Sequence, residues 1–212
     1  LLMQEGSYQQ TPPPPFTAGM EFSGVIEALG PNTAGPALGT RVAAFAGSGG
    51  LADYAVVPVA RLVALPASMS FAQAAAFQIA YGTSHLALDH RARLQAGETL
   101  LVLGAAGGVG LAAVELGKAF GARVVAAVSS EEKAQAAREA GADDTVVYPR
   151  APFDKAQSKA LAEQFKAACG PGGANIVYDI VGGDYSEPAL RAIAWEGRFL
   201  VVGFPAGIAR MP

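Results

Sequence analysis

The stretch T-L-L-V-L-G-A-A-G-G-V-G, residues 99–110, is the strongest indication of how this chain folds. An apolar run of strand length ends in a glycine-rich turn, and L-A-A-V-E-L-G-K-A-F follows with the spacing of a helix. In a unit of strand, glycine turn and helix, the backbone N–H groups and the positive end of the helix dipole point at an anion. Because the turn lacks side chains, a pyrophosphate can approach its backbone. The stretch therefore predicts a binding site for a nucleotide cofactor.

This turn departs at one position from the G-x-G-x-x-G pattern of dinucleotide sites. Gly107 and Gly110 occupy the second and third glycine positions, whereas Ala105 occupies the first. A glycine pattern alone is weak support, since glycines also allow close packing of a helix on a strand. A second strand, A-R-V-V-A-A-V at residues 122–128, follows at the spacing of a βαβ unit. This context favours a dinucleotide site over a purely structural turn.

The residues after the second strand indicate which dinucleotide binds. An NAD site places Asp or Glu at the strand end, about 20 residues after the turn, to bind the ribose 2′-hydroxyl. Here Ser129 and Ser130 follow the strand, and Lys133 is three residues further on. Hydroxyl groups and an ammonium group bind a 2′-phosphate that a carboxylate would repel. The sequence therefore predicts NADP(H) as the cofactor.

Glu131 and Glu132 allow two interpretations. They are either the ribose-binding acids of an NAD site, displaced by a few residues, or residues in the first turn of a helix. In the second interpretation Ser129 is the N-cap, Glu132 completes an S-x-x-E capping box, and Gly141 follows the helix end. Lys133 has a corresponding alternative as a solvated lysine of the first turn.

Composition and charge exclude several classes of protein. The chain has 212 residues, 51% of them hydrophobic, but no apolar run of the 18 or so residues that a membrane helix needs. A net charge of −3 without a basic cluster argues against nucleic acid as the main partner. Cys169 is the only cysteine, so neither a disulfide nor a cysteine-based zinc cluster is expected, and we expect it to be a small packed residue. These features favour a cytoplasmic protein that binds neither nucleic acid nor membranes.

Two regions of different composition follow one another along the chain. Residues 1–70 are rich in proline and glycine, and the runs F-S-G-V-I-E-A-L, R-V-A-A-F and L-A-D-Y-A-V-V-P predict a small β domain. Residues 71–212 predict an α/β fold, with a helical region at 71–94 before the glycine-turn strand. Further strands are expected at 145–148, 175–181 and 198–202, which gives five strands of a doubly wound parallel sheet whose full form has six.

In this order the segments resemble the medium-chain dehydrogenase/reductase superfamily, and within it the zinc-independent quinone oxidoreductase branch. The resemblance rests on E-G-S-Y, P-P-P-P-F-T-A-G-M-E-F-S-G-V-I-E-A-L-G, G-G-L-A-D-Y-A-V-V-P, A-Y-G-T-S, the glycine turn with its helix, Y-D-I-V-G-G and V-V-G-F. It implies a partial GroES-like β domain at residues 1–70, a Rossmann-type NADP-binding domain at 71–212, and a substrate cleft between them. It also implies a homodimer. Because the family extends beyond both ends, we expect a fragment of a larger enzyme.

The resemblance further implies which residues form the site. Ala106, Gly107, Gly108 and Val109 would bind the pyrophosphate. Ser130, Lys133 and Tyr148 would bind the adenosine ribose and its 2′-phosphate, beside Ser129, which the residue pattern already predicts there. Thr83 would lie near the nicotinamide, and the far side of the cofactor would be lined by Val181, Gly203 and Phe204.

Tyr8 matches a tyrosine that faces the substrate in the family. It would donate a hydrogen bond to the acceptor oxygen. The alternative is an aromatic residue that packs at the edge of the β domain.

Gly19-Met20-Glu21 stands where zinc alcohol dehydrogenases carry G-H-E. Methionine removes the imidazole ligand, so no catalytic zinc is expected. The predicted reaction is hydride transfer from NADPH to a quinone or another α,β-unsaturated carbonyl. Two further functions stay open: an enoyl reductase that acts on a thioester, and a non-catalytic module that binds NADPH.

Overall fold

A computed structural model describes residues 3–6, 8, 12–209 and 211. The chain divides after Ile79 into two compact units, residues 1–79 and 80–212. The domain limit at residue 70 drawn from the sequence stays a prediction.

The first unit contains a three-stranded antiparallel sheet. Its strands are β1 (Glu21–Val25), β2 (Arg41–Phe45) and β3 (Leu62–Ala64), with β2 in the centre. Helix α1 (Phe71–Ala75) follows and begins with a capping box, in which Ser70 and Gln73 each accept the other's backbone N–H. This unit is the small β domain that the sequence predicts.

The third β-like run, residues 51–58, does not form the strand that we expected. The third strand lies instead at Leu62–Ala64, and Leu51, Tyr54 and Val56 are exposed. A strand needs a partner for its backbone hydrogen bonds, and no described strand pairs with this segment.

The single helical region expected at 71–94 is interrupted. Helix α2 (Gln78–His85) begins after a break at Ala76, and a π-helical segment, Leu86–Arg91, continues it. The carboxylate of Glu21 accepts the N–H of Ile79 at 2.9 Å. A strand residue 58 positions away thus satisfies a donor in the first turn of α2 and stabilises a separate helix start.

The second unit confirms the predicted doubly wound sheet. Its five parallel strands are β4 (Thr99–Leu103), β5 (Arg123–Val128), β6 (Asp144–Val147), β7 (Ala174–Asp179) and β8 (Ile193–Val201), in the order β6-β5-β4-β7-β8. The helices of this unit that follow the glycine turn are α3 (Gly108–Ala119), α4 (Glu131–Glu139), α5 (Lys155–Cys169) and α6 (Ser186–Leu190). None of the described helices is both long and apolar enough to cross a membrane.

Both faces of this sheet are buried. Alternate residues of the strands contribute to two apolar clusters, one that includes residues of α3 and α4 and one that includes residues of α5 and α6. Cys169 lies in the second cluster, where burial raises the pKa of its thiol to about 11. It is therefore a packed residue, as expected.

Polar contacts join the strands near their amino ends. Arg198 donates two hydrogen bonds to Glu98, at 2.9 and 2.6 Å, and the N–H of Thr99 donates to Asn175 at 2.8 Å. The hydrogen bonds from Arg198 lower the pKa of Glu98. Trp195, the only tryptophan, lies on β8 and is 93% exposed.

Candidate cofactor site

The strand order of the parallel sheet reverses at β4, with β5 and β6 on one side and β7 and β8 on the other. Open α/β sheets bind ligands at the carboxyl ends of the strands beside such a reversal. The loops after β4 and β7 are in close contact there. Gly104 has a φ of +73°, and a Cβ at this position would lie 2.9 Å from Val181 Cγ2 and 3.0 Å from Ile180 Cγ1. The close approach of the two loops therefore depends on glycine.

The glycines of the turn differ in what surrounds them. A Cβ at Gly110 would lie 2.3 Å from the carbonyl oxygen of Gly104, so packing excludes a side chain there. A Cβ at Gly107 would meet only that oxygen, at 3.5 Å, and at Gly108 it would meet nothing within 4 Å. Gly107 is the N-cap of α3, and no side chain in the described part of the chain caps this helix. The exposed glycines thus leave the N–H groups of the first turn accessible to an anion.

The start of α4 corrects one expectation. Ser130, not Ser129, is the N-cap: its backbone is extended, and its Oγ accepts the N–H of Lys133 at 3.3 Å. The capping box of Ser129 with Glu132 is therefore wrong by one residue. The shift leaves Ser129 Oγ to accept a hydrogen bond from Lys133 Nζ at 2.9 Å. Two hydroxyl groups and an ammonium group thus lie together at the carboxyl end of β5.

The two glutamates of α4 have different surroundings. Both are exposed, and of the two only Glu131 has a charged partner among the described residues: it accepts a hydrogen bond from Arg138 and forms an ion pair with it. Both lie in the first turn of the helix, where negative side chains are stabilising. This arrangement favours their interpretation as helix-start residues over that as ribose-binding acids.

Asp179, at the carboxyl end of β7, has a role that the sequence analysis missed. Its side chain is fully buried, accepts the N–H groups of Val181 at 2.8 Å and Gly182 at 2.9 Å, and also accepts the hydroxyl of Ser186. The carboxylate thereby shapes the loop that carries Val181. The D-I-V-G-G pattern contains a signal for it, because aspartate often binds backbone N–H groups two or three residues ahead in a turn.

The loops after β7 and β8 are held together by backbone hydrogen bonds. The N–H of Ala206 donates to Val181 at 2.9 Å, and the N–H of Gly183 donates to Gly207 at 2.7 Å. Phe204 lies so close to Gly182 that a Cβ there would be 2.7 Å from Phe204 Cβ. The structure thus brings the predicted residues Val181, Gly203 and Phe204 to one edge of the sheet.

Thr83 lies on α2, and its neighbour Ser84 links this helix to the glycine turn. Ser84 is fully buried, and its hydroxyl is 3.0 Å from the carbonyl oxygen of Val109 and 3.0 Å from the hydroxyl of Tyr178. The sequence analysis did not single out Ser84 or Tyr178. These contacts place α2 beside the first turn of α3.

Tyr148 follows β6 at the same edge of the sheet, but its ring is buried. Its centroid lies 4.7 Å from that of Tyr185, and burial raises the pKa of Tyr148 to about 12. Contact between Tyr148 and the ribose stays a prediction. Tyr8 belongs to the first unit, is 37% exposed, and its role also stays a prediction.

Residues 19–21 lack the set of ligands typical of a zinc site. Zinc binds cysteine, histidine and carboxylate ligands, whereas this segment offers the thioether of Met20 and the carboxylate of Glu21. Glu21 already accepts the N–H of Ile79. Within the described ranges, no three His, Cys, Asp or Glu side chains are grouped as a metal site. The donor set of this segment does not fit zinc.

Two family descriptions match the two units. Residues 1–67 match the alcohol dehydrogenase GroES-like domain, and residues 108–212 match a domain described as zinc-binding dehydrogenase. The second match lies wholly outside residues 19–21.

Relatives and solved structures agree with these matches. Quinone oxidoreductase-like protein 2 of Mus musculus is 40% identical over all of this chain, which spans 59% of that protein. The quinone oxidoreductase of Thermus thermophilus, solved also in complex with NADPH, is 35% identical with a TM-score of 0.77, over 98% of this chain and 60% of its own. CurK enoyl reductase is 28% identical with a TM-score of 0.81, over 99% of this chain and 61% of its own.

Proposed function

Because this chain belongs to the medium-chain dehydrogenase/reductase superfamily, in its quinone oxidoreductase-like branch, we propose that it forms the NADPH-binding part of an oxidoreductase. One observation carries the proposal. The backbone at Gly107 and Gly108 is exposed at the start of a 12-residue helix, on a sheet edge that also carries Ser129, Ser130 and Lys133. An anion-binding turn and a cationic, hydroxyl-rich site on one edge suit the two phosphate positions of NADP(H).

The proposed roles follow from this placement. The first turn of α3, with Ala106 to Val109, binds the pyrophosphate through backbone N–H groups. Ser129, Ser130 and Lys133 bind the 2′-phosphate. Thr83, Val181, Gly203 and Phe204 orient the nicotinamide. Bound NADPH supplies the hydride, and the chain supplies binding and orientation.

We further propose that the acceptor is a quinone or another α,β-unsaturated carbonyl, and that zinc takes no part in its reduction. Support comes from the relatives described as quinone oxidoreductases and from the donor set at Met20 and Glu21. An enoyl thioester is the second candidate acceptor, favoured by the similarity to CurK enoyl reductase.

Substituting Lys133 by alanine tests the cofactor assignment. Loss of a charged hydrogen bond to the 2′-phosphate should weaken NADPH binding by about 1.5–3 kcal/mol, while NADH binding should hardly change. Fluorescence titration with both cofactors measures the two affinities.

Lys118→Ala is the matched control. This lysine pairs with Asp143 near the amino end of β5, so its loss should leave NADPH binding unchanged. Equal weakening of NADPH and NADH by Lys133→Ala would contradict the assignment of Lys133.

The acceptor proposal is tested by NADPH oxidation in the full-length protein. Turnover with quinones and enones, but not with enoyl thioesters, is expected, and it should persist after treatment with a zinc chelator. Faster turnover of enoyl thioesters would favour the second candidate. If the protein binds NADPH but no acceptor oxidises it, the protein is a non-catalytic binding module and the proposed enzymatic activity is wrong.

A further inference from the structure

Three elements of the second unit meet at the hydroxyl of Ser84. The side chain of Ser84, on α2, lies 3.0 Å from the carbonyl oxygen of Val109 on α3 and 3.0 Å from the hydroxyl of Tyr178 on β7. Ser84 and Tyr178 are both fully buried. Because a buried hydroxyl group without a partner destabilises the fold, each of these two hydroxyl groups depends on its neighbour in this contact.

The direction of the hydrogen bonds follows from the number of available protons. A serine hydroxyl has one hydrogen, and Ser84 donates it to the carbonyl of Val109, which has none. Tyr178 must therefore donate to Ser84. The resulting chain runs from Tyr178 through Ser84 to Val109, and each bond strengthens the next.

This chain joins two regions that the proposed function assigns to different halves of the cofactor. Val109 belongs to the turn at the pyrophosphate, and Thr83, next to Ser84, belongs to the nicotinamide side. Val109 also lies in helix α3, where its carbonyl accepts the regular helical hydrogen bond. The turn therefore keeps its own geometry without Ser84. Helix α2 is joined to the turn by Ser84 and to a later part of α3 by the hydrogen bond from Tyr81 to Glu115.

We propose that Ser84, held by Tyr178, is a positioning residue that fixes the distance between the nicotinamide and pyrophosphate subsites. The proposal rests on the proposed function, because it assumes that NADP(H) occupies this edge. The affinity of ligands that occupy both subsites therefore depends on Ser84. The affinity of ligands that occupy only the pyrophosphate and adenosine side does not.

The test compares NADPH with 2′-phospho-ADP-ribose, which has the same phosphates but lacks the nicotinamide. Ser84→Ala should weaken NADPH binding about 5- to 10-fold, the scale of one net hydrogen bond, and change 2′-phospho-ADP-ribose binding less than about twofold. Isothermal titration measures both affinities. An equal loss for the two ligands, or no loss for either, would overturn the proposal.

A second variant separates positioning from stability. Ser84→Ala leaves the buried hydroxyl of Tyr178 without its partner, which lowers the melting temperature. The double variant Ser84→Ala, Tyr178→Phe removes that hydroxyl and should recover most of the melting temperature, while NADPH binding stays weak. Recovery of NADPH affinity together with stability would show a purely structural role and refute the proposal.

Asn175→Ala is the matched control for destabilisation. It removes the acceptor of the Thr99 N–H at the amino ends of the strands, so it should lower the melting temperature without changing either affinity. If the unsubstituted protein itself fails to bind NADPH, the proposed function falls and this inference with it. If it binds NADPH but Ser84→Ala has no effect, only the inference falls.

Discussion

The polar groups at the two ends of the parallel sheet differ in whether they bond within the protein or remain accessible to a ligand. At the amino ends, Arg198 donates two hydrogen bonds to Glu98 and Asn175 accepts the N–H of Thr99. Asp143 likewise joins Lys118 to the N–H of Val124. At the carboxyl ends, the first turn of α3 has no capping side chain in the described chain, and Lys133 extends only to Ser129. One end uses its hydrogen bonds within the protein, and the other keeps donors accessible to a ligand.

Because of this difference, substitutions at the two ends of the sheet should affect different properties, namely folding stability and cofactor affinity. A substitution at the amino ends removes contacts that exist only within the protein, so it should change the free energy of unfolding and leave cofactor affinity intact. A substitution in the open part of the carboxyl edge should do the reverse. The buried supports of the carboxyl edge, such as Asp179, should affect both.

Gly107→Val is expected to have the largest effect. Its Cβ would contact only one protein atom, at 3.5 Å, and its φ of −79° suits valine, so the protein should fold. The side chain would occupy the space that the pyrophosphate needs. We expect NADPH affinity to fall by more than about 1,000-fold, equivalent to about 4 kcal/mol. Titration combined with thermal unfolding measures both properties.

Gly110→Ala is the contrasting control in the same turn. Its Cβ would lie 2.3 Å from a backbone oxygen, so overpacking should cost about 3 kcal/mol or more of folding stability. An unchanged NADPH titration for Gly107→Val would remove the turn from the site.

Asp179→Ala should have the next largest effect, about 3 kcal/mol. The substitution leaves the N–H groups of Val181 and Gly182 and the hydroxyl of Ser186 without their shared acceptor. Asp179→Asn retains one acceptor oxygen for the N–H groups and should cost less. Chemical denaturation measures the stabilities, and NADPH affinity should fall in the same order. Equal stability of the two variants would contradict the role of the carboxylate.

Glu98→Gln should have the smallest effect, about 1.5–2 kcal/mol at neutral pH, with NADPH affinity unchanged. The pKa of Glu98 is lowered in the folded protein by its hydrogen bonds from Arg198. Its stabilisation is therefore complete above the ordinary glutamate pKa and is lost as the pH falls through the lowered value. The difference in stability between Glu98→Gln and the unsubstituted protein should shrink over that acidic range. A difference independent of pH would assign the effect to packing.

The parallel sheet could be predicted from the sequence because its signals are local. The apolar runs of β4 and β5, the glycines between β4 and α3, and the serines after β5 all act within a few residues of their position in the chain. The turn residues Gly107 and Gly108 were identified for the same reason. The cap of α4 was assigned one residue too early, since Ser129 and Ser130 are chemically alike and only the backbone distinguishes them.

The features that the sequence did not predict depend on distant partners. Ser84 and Tyr178 are 94 positions apart, and neither residue has a pattern that marks it as a hydrogen-bonded pair. Glu21 stabilises the start of α2 from 58 positions away. The run at 51–58 has strand-like residues, but a strand also needs a neighbouring strand to pair with. The residues of the run alone do not show whether such a neighbour exists.

The exposed indole of Trp195 has a practical consequence for these experiments. As the only tryptophan, at 93% exposure, it is surrounded by water in the folded protein much as it is in the unfolded chain. Its emission maximum should hardly move on unfolding, and iodide should quench it readily in the native state. Circular dichroism is therefore the suitable optical signal for the melting curves. A blue shift of the tryptophan emission would instead report a molecule that covers this part of β8.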